Sequence, residues 1–245
     1  MDGVNSMTGN APDVQEFARL AREYDAILYI DDAHGFGVIG ERRTDEFTDW
    51  GMRGNAIMRH AGETYENVIM VAGFSKSYSS LLAFLALPTR LKDTLKVAAP
   101  PYLYSGPSPV ASLATTLVGL EVNDERGDDI RADLYRKTQR VLDRLHELDI
   151  RTPNQSGYPI IEVPLADHND IDEVGRFLFD QGVYVTMAAY PLVPKNEVGF
   201  RLQVTAANGD EEIEHLCEVL GELNGTFQLQ HDEHRETLAR GHVAS

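Results

Sequence analysis

The stretch at residues 68–87, VIMVAGFSKSYSSLLAFLAL, constrains the fold of this chain more than any other. Residues 68–72 are apolar and predict a short buried strand, which Gly73 ends. A single lysine, Lys76, then stands between two serines before apolar residues resume at Leu81. Because a sheet is rigid, a Gly/Ser turn at the end of a strand is well suited to present a reactive group. The stretch therefore predicts two core strands joined by a lysine-bearing turn.

Two interpretations of Lys76 are open from this stretch. A lysine that is removed from water loses basicity and can form a Schiff base with a carbonyl, which would give a chemical reason for its place between core-type segments. The alternative is a solvated lysine in a loop between two strands, because lysine side chains are rarely buried. The stretch alone favours the solvated loop.

The charge balance and the cysteine count exclude several classes of protein. A formal net charge of −17 argues against binding to nucleic acid or to an anionic membrane surface, since both require basic patches. No apolar run approaches the roughly 18 residues of a membrane span, and the first residues lack the features of a signal peptide. The single cysteine, Cys217, excludes an internal disulfide framework, and its spacing predicts a core helix position. We therefore expect a cytoplasmic protein without a membrane span.

Helical and strand-like patterns alternate along the first part of the chain. Residues 14–21 show apolar positions at helical spacing, and residues 26–30 (AILYI) predict a buried strand. A charged loop with several glycines runs from there to about residue 66, where the lysine-bearing stretch follows. Helix, strand, connection and strand in this order predict an α/β unit with a largely parallel sheet.

The middle of the chain is predicted to contain helices and one irregular loop. A short helical pattern follows Pro88, and residues 98–109 contain four prolines, which predict an irregular loop. Residues 110–122 are small and apolar and predict a well-buried helix. Apolar residues spaced through 130–148 predict an amphipathic helix.

The composition changes after Asp149, and a compact α+β pattern follows. The predicted elements are a strand at 158–163, a helix at 171–181, strands at 183–187 and 199–204, and a helix at 211–223. We therefore expect a large domain at 1–109, connecting helices at 110–149, a small C-terminal domain at 150–224 and a loose polar tail at 225–245.

A second group of polar residues directly follows the first predicted strand. Residues 31–40 read DDAHGFGVIG, which places two acids and His34 where α/β sheets present ligands. Asp31 and His34 could ligate a metal ion, but no second cluster with ligand spacing supports that use. Taken alone, the segment favours a structural interpretation, in which Asp31 or Asp32 caps the next segment, His34 packs and the glycines turn the chain.

Several motifs in a fixed order change this interpretation. The chain closely resembles the α-oxoamine synthases in three motifs that occur in the same order. These are DDAH at 31–34, Lys76 at 45 residues after Asp31, and a YP-x-VP segment followed by R-x-x-x-T-A-A at Arg201. GVNSMTGNAPD at 3–13 is similar to another stretch of that family. The resemblance extends to about Leu223 and implies a type I aminotransferase-like α/β fold. It implies the C-terminal part of the large, mostly parallel-sheet domain, followed by a small α+β domain.

The resemblance also implies roles for residues around a pyridoxal 5′-phosphate cofactor. Asp31 would face the pyridine nitrogen and His34 the phenolic oxygen, and Ser6 matches a serine that touches the cofactor. Lys76 would hold the cofactor and act as the acid/base at the substrate Cα. The implied binding residues that remain are Ser75 and Ser77 near the phosphate, Ser105 reaching the phosphate of a partner in a homodimer, and Arg201 on the amino-acid carboxylate.

The sequence departs from the family pattern in several places. Gly73 stands where the family usually has a phosphate-binding threonine, and the glycine-rich run after the lysine reads SYSSLLAF. The family's A-A-H-T is A-A-N-G at 206–209. Family chains also have roughly 150 further residues before the equivalent of Met1, an estimate from the usual size of such domains. These departures indicate a divergent member.

The activity implied by the resemblance is that of a pyridoxal-phosphate-dependent acyltransferase. Such an enzyme condenses an amino acid with an acyl thioester, from acyl-CoA or an acyl carrier protein, and releases carbon dioxide to give an α-amino ketone. A non-catalytic remnant or partner subunit is the alternative, because of the short chain. An aminotransferase is a further alternative, although DDAH and YP-x-VP favour the synthases.

Overall fold

The computed structural model describes residues 1–231, which form two compact units. The first unit consists of Met1–Ser6 and Ala11–Asp133, and the second of Met7–Asn10 and the described residues from Leu134. Within the described residues, no helix combines the length and apolar character that crossing a membrane would need.

The first unit contains most of the helices and a three-stranded sheet. Its elements are α1 (Val14–Glu23), β1 (Leu28–Asp31), α2 (Ile57–His60), β2 (Val68–Gly73), β3 (Ala83–Ala86), α3 (Thr89–Ala98), α4 (Pro100–Tyr104) and α5 (Val110–Glu147), which continues into the second unit.

The sheet of the first unit has the strand order β1-β2-β3. β1 and β2 are parallel, with Leu28 opposite Val68, as the intervening connection predicted. β3 is antiparallel to β2, with Ala83 opposite Gly73, so this part of the sheet is mixed. A short turn can reverse the chain but cannot carry it back to the other end of the sheet, so the lysine-bearing turn imposes the antiparallel direction.

The start and the burial of α1 follow from its sequence. The Asp13 carboxylate accepts a hydrogen bond from the Glu16 N–H (3.0 Å), which satisfies one free amide of the first turn. Val14, Ala18 and Ala21 form the buried face. Phe17 shares the predicted spacing but is exposed, so it is not part of this core.

The middle of the chain differs from the prediction in two ways. Residues 98–109 are not entirely irregular, because α4 begins at Pro100, where the missing amide of proline costs nothing. The two helices expected within 110–149 are one continuous helix of 38 residues, α5. Its first part is not well buried, since Val110 and Leu117 expose 79% and 62% of their surface.

The second unit is a small α+β structure, as predicted. Its elements are β4 (Ile160–Pro164), α6 (Ile171–Asp180), β5 (Thr186–Ala188), β6 (Gly199–Gln203) and α7 (Asp210–Thr226). The strand order is β4-β6-β5, and both pairs are antiparallel. Cys217 is buried on α7, as its spacing predicted.

The expected polar tail at 225–245 begins too early. α7 continues to Thr226, and Leu229 is buried and forms a bridge with Leu165 beside β4. The side chain of Gln230 donates to the Leu165 carbonyl (3.0 Å), which fixes the segment further. The remainder of the predicted tail, 232–245, lies outside the described residues.

Candidate active site

The parallel pairing of β1 and β2 brings two predicted site residues to one edge of the sheet. Asp31 is the last residue of β1 and lies opposite Val71 of β2. β2 ends two positions later at Gly73, and Lys76 follows in the next turn. The carboxyl ends of parallel strands are where α/β sheets bind ligands. Asp31 and the turn of Lys76 thus stand at the ends of two neighbouring strands, at the expected edge.

The turn that carries Lys76 has a defined backbone. The Phe74 carbonyl accepts from the N–H groups of Tyr78 and Ser80 (both 3.1 Å), and the Ser80 hydroxyl donates to the Ser112 carbonyl of α5 (2.8 Å). Lys76 itself is exposed, so the structure agrees with a turn lysine and not with one withdrawn from water. The reason is that the turn extends beyond the sheet instead of crossing its core.

Two sets of contacts join this turn to the loop that carries His34. The Ser77 hydroxyl donates to the Phe36 carbonyl (2.7 Å), and the next residue, Gly37 (φ +87°), leaves no room for a Cβ beside Ser77. Four aromatic rings also pack together, with the closest pairs 5.1–5.4 Å apart: Phe36, Phe74, Tyr78 and Phe84. The lysine turn and the acidic loop therefore form one packed substructure, with His34 half-buried within it.

The two adjacent acids of this loop have different environments. Asp31 is exposed, and its Oδ1 accepts from the Ala33 N–H (3.0 Å). Asp32 is fully buried, and its Oδ2 accepts from the Ile57 N–H (2.7 Å). Burial raises the pKa of Asp32 to about 7, although backbone N–H groups, that of Ile57 first, act in the opposite direction. Asp31 is thus available to a ligand, whereas Asp32 holds the loop together.

The predicted serines differ in how closely they approach this substructure. Ser6 is half-buried in the N-terminal segment, where the Gly3 N–H donates to the Asp31 carbonyl (2.7 Å). Ser75 is exposed beside Lys76. Ser105 is also exposed directly after α4, and no hydrogen bond among residues 1–231 joins it to the lysine turn.

Arg201 lies in the second unit, at the centre of the three-stranded sheet. It is half-buried on β6, opposite Glu162 of β4 on one side and Thr186 of β5 on the other. Glu162 is buried, and burial raises the pKa of its carboxyl, with repulsion from Glu197 adding and attraction to Arg151 opposing. Directly opposite residues of antiparallel strands share a face of the sheet. Sequence analysis missed Glu162, although it is the one charged residue in the apolar run YPIIEVPL.

Comparison with known sequences gives matches along most of the chain. The model of the family described as aminotransferase class I and II matches residues 1–220. The chain is 29% identical over 217 residues to 8-amino-7-oxononanoate synthase of Thermosipho melanesiensis, covering 89% of this chain and 52% of that protein. It is 29% identical over 235 residues to serine palmitoyltransferase of Bacteriovorax stolpii, covering 95% and 52%. The chain therefore spans about half the length of the curated relatives that it matches.

Comparison with solved structures also gives matches that cover most of this chain and about half of the matched protein. Serine palmitoyltransferase of Sphingomonas wittichii superposes with a TM-score of 0.80 at 24% identity, over 92% of this chain and 55% of that one. A structure described as SPT with PLP superposes with a TM-score of 0.81 at 21% identity, over 92% and 54%. The matched region is the C-terminal part of these proteins. The predicted type I aminotransferase-like α/β fold is thereby confirmed.

Proposed function

This chain belongs to the aminotransferase class I and II family, and we propose that it serves a pyridoxal-phosphate-dependent acyltransferase reaction. In that reaction an amino acid and an acyl thioester form a carbon–carbon bond at Cα, a thiol leaves, and carbon dioxide is released to give an α-amino ketone. The relatives named 8-amino-7-oxononanoate synthase and serine palmitoyltransferase support this reaction class. The observation that carries the proposal is the packed substructure of lysine turn and acidic loop at the carboxyl edge of β1 and β2.

The donor set at this edge fits pyridoxal phosphate. An amine, a carboxylate and an imidazole are the groups needed for its aldehyde, its ring nitrogen and its phenolic oxygen, and Lys76, Asp31 and His34 supply them. Lys76 is exposed and accessible. Asp31 Oδ2 accepts no hydrogen bond from residues 1–231, so that oxygen is available to a protonated ring nitrogen.

The phosphate side fits through hydroxyl groups. Ser75 is exposed next to Lys76, while Ser77 already donates its proton to the Phe36 carbonyl and keeps only acceptor capacity. An anionic phosphate needs donors, so we assign this contact to Ser75 and Ser6 before Ser77. Ser105 would add a donor from a second copy.

Each proposed catalytic residue has a distinct task. The cofactor supplies an electron sink for the negative charge that develops at the substrate Cα. Lys76 would remove the Cα proton, and Asp31 would keep the proton on the ring nitrogen through a charge-assisted hydrogen bond. His34 would hold the phenolic oxygen, and Arg201 would bind the substrate carboxylate with two N–H groups of its planar guanidinium.

We further infer a homodimer with an amino acid and either acyl-CoA or an acyl-carrier-protein thioester as substrates, acting in the cytoplasm. An exposed apolar surface supports a second copy, because Tyr104, Val110 and Leu117 are all more than half exposed and lie near Ser105 in sequence. The single free cysteine, Cys217, is consistent with a reducing compartment.

A non-catalytic partner subunit is the second candidate function. The observation in its favour is that the chain spans about half the length of its relatives. In that case the fold and its exposed surface would be used without turnover, and Lys76 could be replaced without loss.

Exchange of the substrate Cα proton in deuterated water distinguishes the two functions. L-serine and L-alanine serve as probes, with added pyridoxal phosphate, and proton NMR follows the Cα signal. We expect Lys76→Ala and Asp31→Asn to lower the exchange rate at least about 100-fold, because they remove the base and the partner of the ring nitrogen. Lys92→Ala changes an exposed lysine of α3 and should leave the rate unchanged. Exchange that no variant alters, or exchange no faster than with free cofactor, would support the non-catalytic subunit.

A further inference from the structure

One side of α5 carries small or polar residues where the helix passes the lysine turn. Its members recur at spacings of three or four residues, which places them on a single face of a helix. They form the turn-facing stripe: Ser112, Thr116, Gly119, Asn123, Gly127 and Arg131. All of them are buried or half-buried, whereas Leu117 and Val118 between them are more than half exposed. The stripe is therefore the side of α5 that packs within the first unit.

The first part of the stripe holds the lysine turn through a chain of hydroxyl groups. The Thr116 hydroxyl donates to the Ser80 hydroxyl (2.9 Å), which in turn donates to the Ser112 carbonyl (2.8 Å). All three residues are at most 9% exposed. The Ser80 N–H also donates to the Phe74 carbonyl (3.1 Å), which closes the turn. Because the Ser80 side chain is fixed from both sides, Thr116 supports the turn through Ser80.

The ring of Tyr78 occupies the space that Gly119 leaves open on the helix. A Cβ at Gly119 would lie 2.8 Å from this ring, so the close approach needs a glycine. Tyr78 follows Lys76 by two residues, and its ring also packs against Phe36 of the acidic loop, with centroids 5.3 Å apart. The lysine turn is thus in contact with both α5 and the acidic loop.

The last part of the stripe supports the acidic loop through Arg131. This side chain is 5% exposed, and its guanidinium donates to the Asp128 carboxylate (2.6 Å) and to the Gly37 carbonyl (3.4 Å). Gly37 lies directly against Ser77, the residue after Lys76. Arg131 therefore supports the loop at the point where the loop meets the lysine turn.

We propose that two residues of α5, Thr116 and Arg131, are positioning residues for Lys76. Thr116 acts through Ser80, and Arg131 acts through Gly37. The inference rests on the proposed function, in which Lys76 is the residue that reacts with the cofactor aldehyde. A lysine side chain is long and flexible, so a fixed backbone limits the positions that its amine samples and raises its rate of reaction.

The partition of a pyridoxyl label between two lysines measures this placement. The full chain is incubated with pyridoxal phosphate and reduced with borohydride, and peptide mass mapping gives the ratio of label on Lys76 to label on exposed Lys92. We expect Thr116→Val to lower this ratio at least about 3-fold, because it removes a buried hydrogen bond. Thr115→Val is the matched control and should leave the ratio unchanged, since the Thr115 hydroxyl donates to the Ala111 carbonyl of its own helix (2.9 Å).

A double substitution separates positioning from a general loss of stability. In a chain that already carries Ser80→Ala, Thr116→Val should change the ratio by less than about 1.5-fold, because its route to the turn is gone. Lower stability alone leaves the ratio unchanged while circular dichroism shows a folded chain, since Lys76 and Lys92 lie in the same unit.

Arg131 is tested by a substitution that keeps its charge. Arg131→Lys retains a positive group but removes the planar guanidinium that reaches Gly37, so we expect the ratio to fall at least about 3-fold. Arg126→Lys changes an exposed arginine of the same helix and should have no effect.

Hydrogen exchange tests the proposal without the cofactor. The Tyr78 and Ser80 amides both donate to the Phe74 carbonyl (3.1 Å), so their exchange reports opening of the turn. We expect exchange at least about 5-fold faster in Thr116→Val and in Arg131→Lys, and unchanged exchange in the two controls.

The proposal is overturned if neither substitution alters the label ratio, or if Thr116→Val keeps its full effect in the Ser80→Ala chain. A wild-type chain without preference for Lys76 contradicts the proposed function instead. In that case faster exchange in the variants supports the positioning of the turn by α5, and unchanged exchange overturns it.

Discussion

The buried carboxyl of Asp32 should make the stability of the first unit depend on pH near neutrality. Burial raises its pKa from the ordinary 3.8 to about 7, so the folded chain binds this proton more tightly than the unfolded chain does. The resulting stabilisation is complete below pH 3.8 and is lost as the pH rises through about 7. Asp32→Asn removes the titrating proton while keeping the volume and an oxygen acceptor for the Ile57 N–H.

The expected magnitude follows from the displaced pKa. Each pKa unit corresponds to about 1.4 kcal/mol, so the whole effect is roughly 4 kcal/mol. Roughly 2 kcal/mol of it falls between pH 5.5 and pH 8.5, where the chain remains anionic. Over that range the free energy of unfolding of the wild type should fall by roughly this amount relative to Asp32→Asn. The constant cost of placing an amide beside backbone N–H groups cancels in the comparison.

Fluorescence of Trp50 is a suitable probe, because it is the single tryptophan and is buried in the first unit. Urea unfolding at several pH values gives the free energy of unfolding for the wild type and Asp32→Asn. Asp93→Asn, which changes an exposed carboxylate of α3, is the control and should track the wild type. The Ile57 amide resonance should titrate with a midpoint near pH 7. A wild-type-to-variant difference that changes by less than about 0.5 kcal/mol across the range would refute the assignment.

Three further substitutions test other parts of the structure. Glu162→Gln should stabilise the chain more at pH 8 than at pH 5 in urea unfolding, because burial raises the pKa of the carboxyl and an amide avoids ionisation. Leu229→Ala should lower the free energy of unfolding by about 2–4 kcal/mol, because Leu229 is buried. The control Leu192→Ala changes an exposed leucine and should alter it by less than about 0.5 kcal/mol. Equal effects of the two substitutions would contradict the burial of Leu229. Gly119→Ala should lower the melting temperature, because its Cβ would lie 2.8 Å from the ring of Tyr78. Gly106→Ala places a Cβ that meets no atom within 4 Å, so it should leave the melting temperature unchanged.

The strands at 26–30 and 68–72 were predictable from sequence because each is a short continuous apolar run. Both occur in the structure within two residues at each end, as β1 and β2. The predicted burial of the first strand is wrong for most of its length, since Ile30 is buried whereas Ile27 and Tyr29 are more than half exposed. The elements predicted after Asp149 also occur in the structure, with ends displaced by up to three residues. Periodicity is a local property, and these elements are stabilised mainly by packing that the local pattern reflects.

Burial that depends on distant partners was not predictable. The apolar composition of 110–122 indicates a helix, but nothing local states what covers it, and Val110 and Leu117 are exposed. Leu229 shows the opposite case, because a single apolar residue in a polar segment has no periodicity, yet pairing with Leu165 buries it. The number of prolines in 98–109 indicates a loop, but Pro100 stands at the first position of α4, where proline favours a helix start.

The sequence predicts which residues to consider at the candidate site, but not how the segments that carry them pack together. The motifs place Asp31 after one predicted strand and Lys76 after the next, and the parallel pairing of β1 and β2 puts the ends of both strands at one edge. The roles of these residues stay predictions. The hydrogen bond from Ser77 to the Phe36 carbonyl and the four packed rings join segments about 40 residues apart. Contacts of this kind depend on tertiary packing, so no local sequence pattern encodes them.

The most direct test of the central claim is to identify the lysine that binds the cofactor. The chain is incubated with pyridoxal phosphate and reduced with borohydride, and the pyridoxyl group is located by peptide mass mapping. We expect the group on Lys76, and its loss in Lys76→Ala, because the turn that carries Lys76 packs against the loop that follows Asp31 at the carboxyl edge of the sheet. Modification mainly at Lys92 or Lys96, the exposed lysines of α3, would contradict the assignment of this edge as the cofactor site.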